Sequence, residues 1–196
     1  MGWKVGTITD YCEVKDGTHD TPAHQVEGKF LITSKNLTQN GIDFDSAYKV
    51  SIEDFNNINK RSLVENFDIL YSMIGTIGNM LIVNEDKVDF CIKNMALIKT
   101  SQNQESSFFI YEYLRHSDCD SYLQTSTRGS IQKFVALDIL RNIPIFILSD
   151  EIKEKFNKII TPIYEKKLKF IKENEELTKL RDYLLPLLMN GQIEVK

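Results

Sequence analysis

Three charged residues of this sequence form its one candidate for metal-dependent chemistry. Asp68 is followed, further along the chain, by Glu85 and then by Lys87. An acid followed by an E-x-K triplet is the order in which a nuclease holds Mg²⁺ through carboxylates. The chain has 28 acidic residues, so this spacing also arises by chance, and residues 84–89 have the composition of a polar hairpin turn. A small Mg-dependent nuclease therefore remains an alternative function.

Other catalytic and metal-binding motifs are absent from the sequence. There is no P-loop, no H-E-x-x-H, no G-x-S-x-G, no G-x-G-x-x-G and no Asn-Pro-Pro motif of adenine methyltransferases. Cys12, Cys91 and Cys119 are far apart and form no C-x-x-C pair. His19 and His24 do not follow Cys12 at a standard zinc spacing. We therefore expect no metal site, no bound cofactor and no catalytic centre in this chain.

The elements that must position any site divide the chain into two regions. Up to about residue 148, short apolar or alternating runs are separated by Gly, Asn and Asp. Such runs predict strands at 29–33, 68–73, 80–83, 91–99 and 143–148. Ser51 is a predicted helix N-cap, because acidic residues follow it, and residues 107–116 have the wide apolar face of a short helix. The sequence thus predicts an α+β fold with a mixed α/β domain at 1–148.

From residue 149 to residue 196 the pattern is that of a long helix. One apolar column recurs at seven-residue spacing and consists of Phe156, Ile163, Phe170, Leu177 and Leu184. A second column is interrupted by Lys166 and Glu173. Pro162 is expected to kink or divide the helix, and Asn190-Gly191 to end it.

A helix of about 38 residues would span roughly 57 Å, which is more than one domain can cover. The heptad column therefore predicts a coiled-coil-like arm for dimerisation, with a second helix as partner. The alternative is a helix that folds back across its own domain.

Composition and charge restrict the function only loosely. The net charge is -4, which counts against a nucleic-acid binder, because the neutralisation of phosphates supplies much of the affinity of such proteins. Acidic residues are frequent in 150–176 and sparse in 93–117, so they need not lie on a DNA-binding surface. The N-terminus lacks the apolar stretch of a signal peptide, and no apolar run approaches the ~18 residues of a membrane span. We expect a cytoplasmic protein without a membrane segment.

Ordered segments along the whole chain resemble the specificity subunits of type I restriction–modification enzymes. The most telling segment is DILYSMIGTIGN at 68–79, and the chain closes with LRDYLLPLL at 180–188 and GQI at 191–193. The remaining segments are WKV at 3–5, DGTHDTP at 16–22, LITSKNL at 31–37, INKRS at 58–62, IKNMAL at 92–97 and TRGSIQ at 127–132. Each segment is weak evidence by itself, and their conserved order along the chain is strong evidence.

The resemblance implies a target recognition domain at 1–148 and a helical spacer and dimerisation region at 149–196. A full-length subunit has two of each, so this chain is expected to be half a subunit that pairs with a second copy through its helix. Such a dimer would read two identical half-sites in inverted orientation. The implied function is sequence-specific recognition of double-stranded DNA that positions a methyltransferase subunit and a restriction subunit. S-adenosylmethionine, Mg²⁺ and ATP are expected only in those partner subunits, and the chain itself is expected to be non-catalytic.

Polar residues in the predicted loops are suited to this implied role, because their side chains can bind base edges and phosphates. The glycines of 75–79 would let backbone amides approach a phosphate, and they equally suit a tight hairpin turn. Residues 127–133 carry two cations with no acid nearby, although a solvated loop would have the same composition. The loop at 18–21 could contact DNA or form a turn. The candidate DNA-binding residues are Thr18, His19, Thr21, Lys35, Asn36, Ser72, Gly75, Thr76, Asn79, Asn94, Thr127, Arg128, Ser130, Gln132 and Lys133.

Two further alternatives concern the chain as a binding protein. A truncated specificity subunit would compete for the methyltransferase without supporting a working complex. A coiled-coil adaptor would bind proteins only.

Overall fold

The computed structural model describes residues 4–126 and 134–193 and has the α+β fold expected from the sequence. Its strands are β1 Val5–Thr7, β2 Val14–Asp16, β3 Lys29–Ile32, β4 Tyr48–Val50, β5 Ile69–Ser72, β6 Met80–Ile82, β7 Phe90–Ile92, β8 Met95–Ile98 and β9 Pro144–Phe146. Its helices are α1 Ile52–Ser62, α2 Gln104–Leu114, α3 Ser117–Ser126, α4 Leu137–Arg141 and α5 Asp150–Met189. Short 3-10 turns follow β1, β3 and β8. The chain forms two units, Met1–Asn157 and Lys158–Lys196, and the predicted domain boundary at 148 stays a prediction.

The strands of the first unit form three sheets. A four-stranded antiparallel sheet has the order β2-β8-β5-β6, and a three-stranded sheet has the order β4-β3-β7. In the smaller of these two sheets, β3 pairs antiparallel with β4 and parallel with β7. The third sheet is the antiparallel pair of β1 and β9. The strands β5, β7 and β8 are buried along their whole length, which explains why their sequences are continuous apolar runs without alternation.

The predicted strand at 91–99 is wrong in one respect, since the run forms two strands. Asn94 has a φ of 55° and lies at a bend between β7 and β8. Asparagine adopts this left-handed conformation more readily than most residues, so one polar residue suffices to break the apolar run. The two halves consequently belong to different sheets.

The helix signals of the first unit were read correctly. The Ser51 hydroxyl accepts a hydrogen bond from the Asp54 amide at 3.0 Å, as expected of an N-cap residue. The helix predicted at 107–116 is α2, which begins and ends a few residues earlier.

The long helix α5 continues through Pro162 and Pro186, so the expected division at Pro162 is not observed. It ends as expected: Gly191 has a φ of 65°, its amide bonds the Leu188 carbonyl, and the Gln192 amide bonds the Leu187 carbonyl. These two bonds form a Schellman motif. No helix among the residues described combines the length and the apolar character that a membrane crossing requires.

The predicted dimerisation column changes its environment along α5. Phe156 is half-buried, and its ring meets Phe109 edge-on at 5.8 Å between centroids. Farther along, Ile163, Phe170 and Leu177 are each about half exposed, whereas Leu184 is half-buried. The use of this column in dimerisation stays a prediction.

Candidate nucleic-acid interface

The sheet topology brings the described candidate residues to one end of the first unit. Asp16 at the end of β2 pairs with Ala96, and Ser72 at the end of β5 pairs with Met95. Both strands therefore end beside the start of β8. The ends of β3 and β7 also lie together, because Ile32 pairs with Ile92. Residues 17–22, 33–37 and 73–79 and the turn Lys93–Asn94 therefore lie at the same end. We call these four segments the loop end.

His19 is held between two segments of the loop end. Its Nδ1 lies 2.9 Å from Asn94 Oδ1, and its Nε2 lies 2.7 Å from Asp16 Oδ2. Thr18 and Lys93 form an isolated parallel β-bridge. The Thr18 carbonyl also accepts a hydrogen bond from the Asn94 amide. Thr18, His19 and Asn94, which are distant in sequence, are thus brought together.

Hydrogen bonds to Asn94 and then to Asp16 raise the pKa of His19 above its ordinary value. Both partner atoms are acceptors, so the protonated ring, which donates from both nitrogens, satisfies both of them. The side chain nevertheless stays 59% exposed. A partly solvated imidazolium at this position could contact either a phosphate or a base edge.

Two cations at the loop end were missed by the sequence analysis. Lys93 Nζ donates to the Thr21 hydroxyl at 2.5 Å. Arg61, near the end of α1, donates from Nη2 to the Gly17 carbonyl at 2.7 Å. Both residues lie in segments that resemble the family. For Lys93, its position directly before the candidate residue Asn94 was the sequence feature that could have identified it.

Three predicted residues use their side chains to shape the loops. Asn36 is buried, and its Oδ1 accepts from the Thr33 amide at 2.9 Å. The Ser72 hydroxyl donates to the Ile74 carbonyl at 3.0 Å, and Asn79 Nδ2 donates to the Leu37 carbonyl at 3.0 Å. The last bond ties the segment 73–79 to the segment 33–37. A direct DNA contact by these three residues stays a prediction.

The segment between β5 and β6 is a tight turn that needs its glycines. Gly75 has a φ of 79° and Gly78 a φ of 85°, both in the left-handed region. Gly75 and Thr76 are exposed, as is Lys35 on the neighbouring segment. Within the described residues, the amides of Thr76 and Ile77 donate no hydrogen bond, whereas Gly75 follows Ile74, which forms an antiparallel bridge with Phe134.

The remaining predicted residues, Thr127, Arg128, Ser130, Gln132 and Lys133, lie outside the described residues. Where the description resumes, Phe134 bridges Ile74, and the Val135 amide bonds the Met73 carbonyl. Phe134 and Val135 therefore lie beside the start of the 73–79 turn.

The residues of the nuclease alternative are located at the opposite end of the sheet. Asp68 is fully buried, and its Oδ2 lies 2.6 Å from Lys99 Nζ, while its Oδ1 accepts from the Ser101 amide. The Glu85 backbone is paired with the Asn66 side chain. In residues 4–126 and 134–193 no group of three or more His, Cys, Asp or Glu is placed to hold a metal ion. Because Asp68 is already paired with a buried cation, this geometry does not favour the nuclease.

The three cysteines are free and buried. Burial raises the pKa of Cys12, Cys91 and Cys119 to about 12 in each case. They remain protonated and unreactive near neutral pH.

Comparison with known proteins gives matches to one family. The family model described as the type I restriction modification DNA specificity domain matches residues 1–179. The type I restriction enzyme MjaIX specificity subunit of Methanocaldococcus jannaschii is 25% identical over 203 residues, which cover all of this chain and 45% of that protein. The HindI specificity subunit of Haemophilus influenzae is 34% identical over 92 residues, which cover 46% of this chain and 20% of that protein.

Solved structures support the fold. The crystal structure of a type I restriction-modification S subunit from M. genitalium superimposes with a TM-score of 0.59 at 17% identity. The match covers 93% of this chain and 44% of that one. The chain thus spans slightly less than half the length of the relatives that it matches along its whole length.

Proposed function

We propose, on the premise that this chain belongs to the family of type I restriction modification DNA specificity domains, that it is a DNA sequence-recognition subunit. One observation carries the proposal. Loops from four separate parts of the chain, which together contain all the described candidate residues except Ser72 at the end of β5, converge at a single end of the domain. Such a convergence provides one continuous polar surface that can be applied to a DNA groove.

The residues of the loop end divide into two kinds of contact. Lys35, Lys93 and the exposed amides of the 73–79 turn are suited to phosphates, which position the protein without reading sequence. The Asn94 and Thr21 side chains are suited to base edges, because amide and hydroxyl groups match the donors and acceptors of the major groove. The His19 ring already bonds Asn94 and Asp16 through its two nitrogens, and its positive charge is suited to a phosphate. The overall net charge of -4 does not oppose this arrangement, since three lysines or arginines lie at or beside the loop end.

The helix α5 would supply the second half of the assembly. Its apolar column predicts a homodimer, and a two-fold dimer of target recognition domains would read two inverted half-sites. The dimer would position a methyltransferase subunit, and a restriction subunit would join for cleavage. S-adenosylmethionine, Mg²⁺ and ATP would bind to those partners, in the cytoplasm. The chain would then carry specificity and no chemistry of its own.

The experiment that tests the proposal selects binding sites from a random pool of duplex DNA, with and without the methyltransferase subunit. We expect enrichment of a bipartite sequence with inverted half-sites. Lys93→Ala should lower the affinity for the selected duplex severalfold and reduce the slope of log K against log salt by roughly 0.9. Lys87→Ala removes an equally charged but distant lysine and should change neither quantity.

Failure to enrich any sequence in either condition would reject DNA recognition. Binding of the methyltransferase without any DNA preference would indicate the truncated competitor instead. Metal-dependent cleavage that Lys87→Ala abolishes would restore the nuclease.

A further inference from the structure

The hydroxyl of Tyr71 is a buried polar group that the loop end does not explain. Tyr71 lies in β5, is 1% exposed, and its hydroxyl has no hydrogen-bond partner among the described residues. A buried hydroxyl without a partner destabilises the folded state, because it has lost its bond to water and gained none. Such a group calls for a partner that the described part of the chain does not supply.

The hydroxyl lies directly under the turn that joins β5 to β6. A Cβ placed on Gly78 would have the Tyr71 hydroxyl at 3.7 Å as its only neighbour within 4 Å, and a Cβ on Gly75 would have no neighbour. The turn above the hydroxyl is therefore thinly packed. Both glycines have positive φ, so the backbone there can move through conformations that other residues resist.

The backbone amides of the same turn differ in their hydrogen bonding. The amides of Gly78 and Asn79 are bonded within the turn, to the Ser72 and Thr76 carbonyls at 3.1 and 3.2 Å. The amides of Thr76 and Ile77 donate to no acceptor in the described part of the chain. Successive free amides in a glycine turn form a concave site for an oxyanion.

We propose that Tyr71 and the 75–78 turn together form a site for one DNA phosphate, in which the turn shifts and the Tyr71 hydroxyl donates to a phosphate oxygen. The inference rests on the proposed function and names a donor that the sequence analysis did not. It explains why a hydroxyl is kept where a phenylalanine would satisfy the packing. It also assigns Gly75 and Gly78 a role in phosphate binding in addition to their role in forming the turn.

The ionisation state of Tyr71 agrees with a donor role. Burial, with Cys119 and Asp120 of α3 nearby, raises the pKa of Tyr71 well above its ordinary value. The group therefore keeps its proton at any pH at which the protein functions, and it can donate to an anion. Because it is neutral, it would contribute a hydrogen bond without changing the number of counterions released.

The test compares Tyr71→Phe with Tyr113→Phe in the full chain, using the duplex selected from the random pool. Tyr113 is the matched control, because its hydroxyl donates to the Pro144 carbonyl in the same unit. Tyr71→Phe should lower the DNA affinity about tenfold or more, with an unchanged salt slope and an unchanged or higher melting temperature. Tyr113→Phe should show the opposite pattern, with a lower melting temperature and an unchanged affinity.

The phosphate itself is identified by replacing single phosphates of the duplex with neutral methylphosphonates. At one position the replacement should weaken binding by the wild-type chain and should not weaken binding by Tyr71→Phe any further. Equal affinity of Tyr71→Phe and wild type would overturn the proposal, as would additive effects at every phosphate. Either result would leave Tyr71 with a buried water or with no partner.

A second measurement keeps this site testable if the chain binds no duplex and the proposed function fails. Inorganic phosphate is then titrated into the protein while the amide resonances of Gly75, Thr76 and Ile77 are observed by NMR. Phosphate-dependent changes in these amide chemical shifts that occur in wild type and are lost in Tyr71→Phe would support an oxyanion site that does not depend on DNA. The absence of any shift would reject the site.

Discussion

The two units of the chain differ in how far their apolar side chains are exposed to solvent. In the first unit, Leu31, Ile69 and Ile98 are completely buried. In the second unit, Ile159 is 68% exposed and Leu177 is 55% exposed. The first unit thus supplies its own core, whereas the second presents an apolar column that this chain leaves in water. The partner that we propose for this column is a second helix.

A second contrast exists between the two ends of the sheet. At one end, the buried pair of Asp68 and Lys99 satisfies its charges completely with protein groups. At the loop end, the polar side chains of His19, Lys93 and Thr76 stay at least partly exposed. One end stabilises the fold, and the other remains available to a ligand. Each of the following predictions tests one side of these contrasts against the other.

The largest effect should come from charges placed in the apolar column of α5. Phe170→Asp with Leu177→Asp would put two carboxylates into the expected helix–helix contact, and we expect the dimer to be lost at any practical concentration. Light-scattering mass should fall from twice 22.7 kDa to a single 22.7 kDa. The urea unfolding of the first unit should not change, because these two positions are outside it.

Lys158→Asp with Lys179→Asp is the matched control, because it changes the same helix at positions outside the heptad column. It should leave the dimer intact. A wild-type chain that is already monomeric would contradict the role given to the column.

The next effect concerns the buried ion pair. Lys99 is 4% exposed and also donates to the Leu63 carbonyl and to Glu65. Lys99→Ala leaves Asp68 buried and without its cation, which should reduce the free energy of unfolding by about 3–5 kcal/mol. Lys15→Ala breaks the exposed pair with Glu13 and should cost less than about 1 kcal/mol. The midpoints of urea unfolding of the two variants measure both losses. Equal midpoints for Lys99→Ala and Lys15→Ala would show that Asp68 is satisfied without Lys99.

This ion pair also illustrates what could not be predicted from sequence. The apolar runs correctly indicated where most strands lie, because a buried strand must be apolar whatever its neighbours are. Lys99 at the end of such a run gave no sign that it pairs with Asp68, because the two are 31 positions apart in sequence. Pairing of this kind depends on strand order and register, which local patterns do not determine.

The loop end shows the same limit for the candidate site. The resemblance identified segments in the correct order, and it named His19 and Asn94 as separate candidates. Their contact depends on the bend at Asn94, whose positive φ interrupts a run that we predict to be a single strand. Arg61 was missed because its helix gave no sign of reaching the 17–22 segment, where it bonds the Gly17 carbonyl.

A smaller effect compares one glycine from each unit. Gly75 and Gly191 both have positive φ, and a Cβ on either would meet nothing within 4 Å. Alanine should therefore cost only the backbone strain, about 1 kcal/mol at each site. Gly75→Ala should lower both the stability of the first unit and its DNA affinity, because it stiffens the proposed phosphate turn.

Gly191→Ala should fray the end of α5, as seen by amide exchange, and leave DNA affinity unchanged. Loss of DNA affinity in both variants would contradict the proposal that the first unit alone binds DNA. Urea unfolding and duplex titration, performed on both variants, give the comparison.

The smallest effect should be the pH dependence at His19. Its pKa is raised in the folded chain by Asn94 and Asp16, so its contribution to stability is fully present below the ordinary pKa of about 6.5. That contribution is lost as the pH rises through the raised value. Because the ring is largely exposed, we expect less than about 1 kcal/mol.

NMR titration of the ring protons should give a His19 pKa above that of an unfolded control peptide. The stability of wild type should fall slightly more between pH 5.5 and pH 8.5 than the stability of His19→Gln. His24→Gln removes a neighbouring histidine that stacks on Tyr48 and should retain the wild-type dependence. If His19→Gln also retains it, the bonds to Asp16 and Asn94 contribute nothing measurable, and the loop end gains its order from the backbone bridge between Thr18 and Lys93.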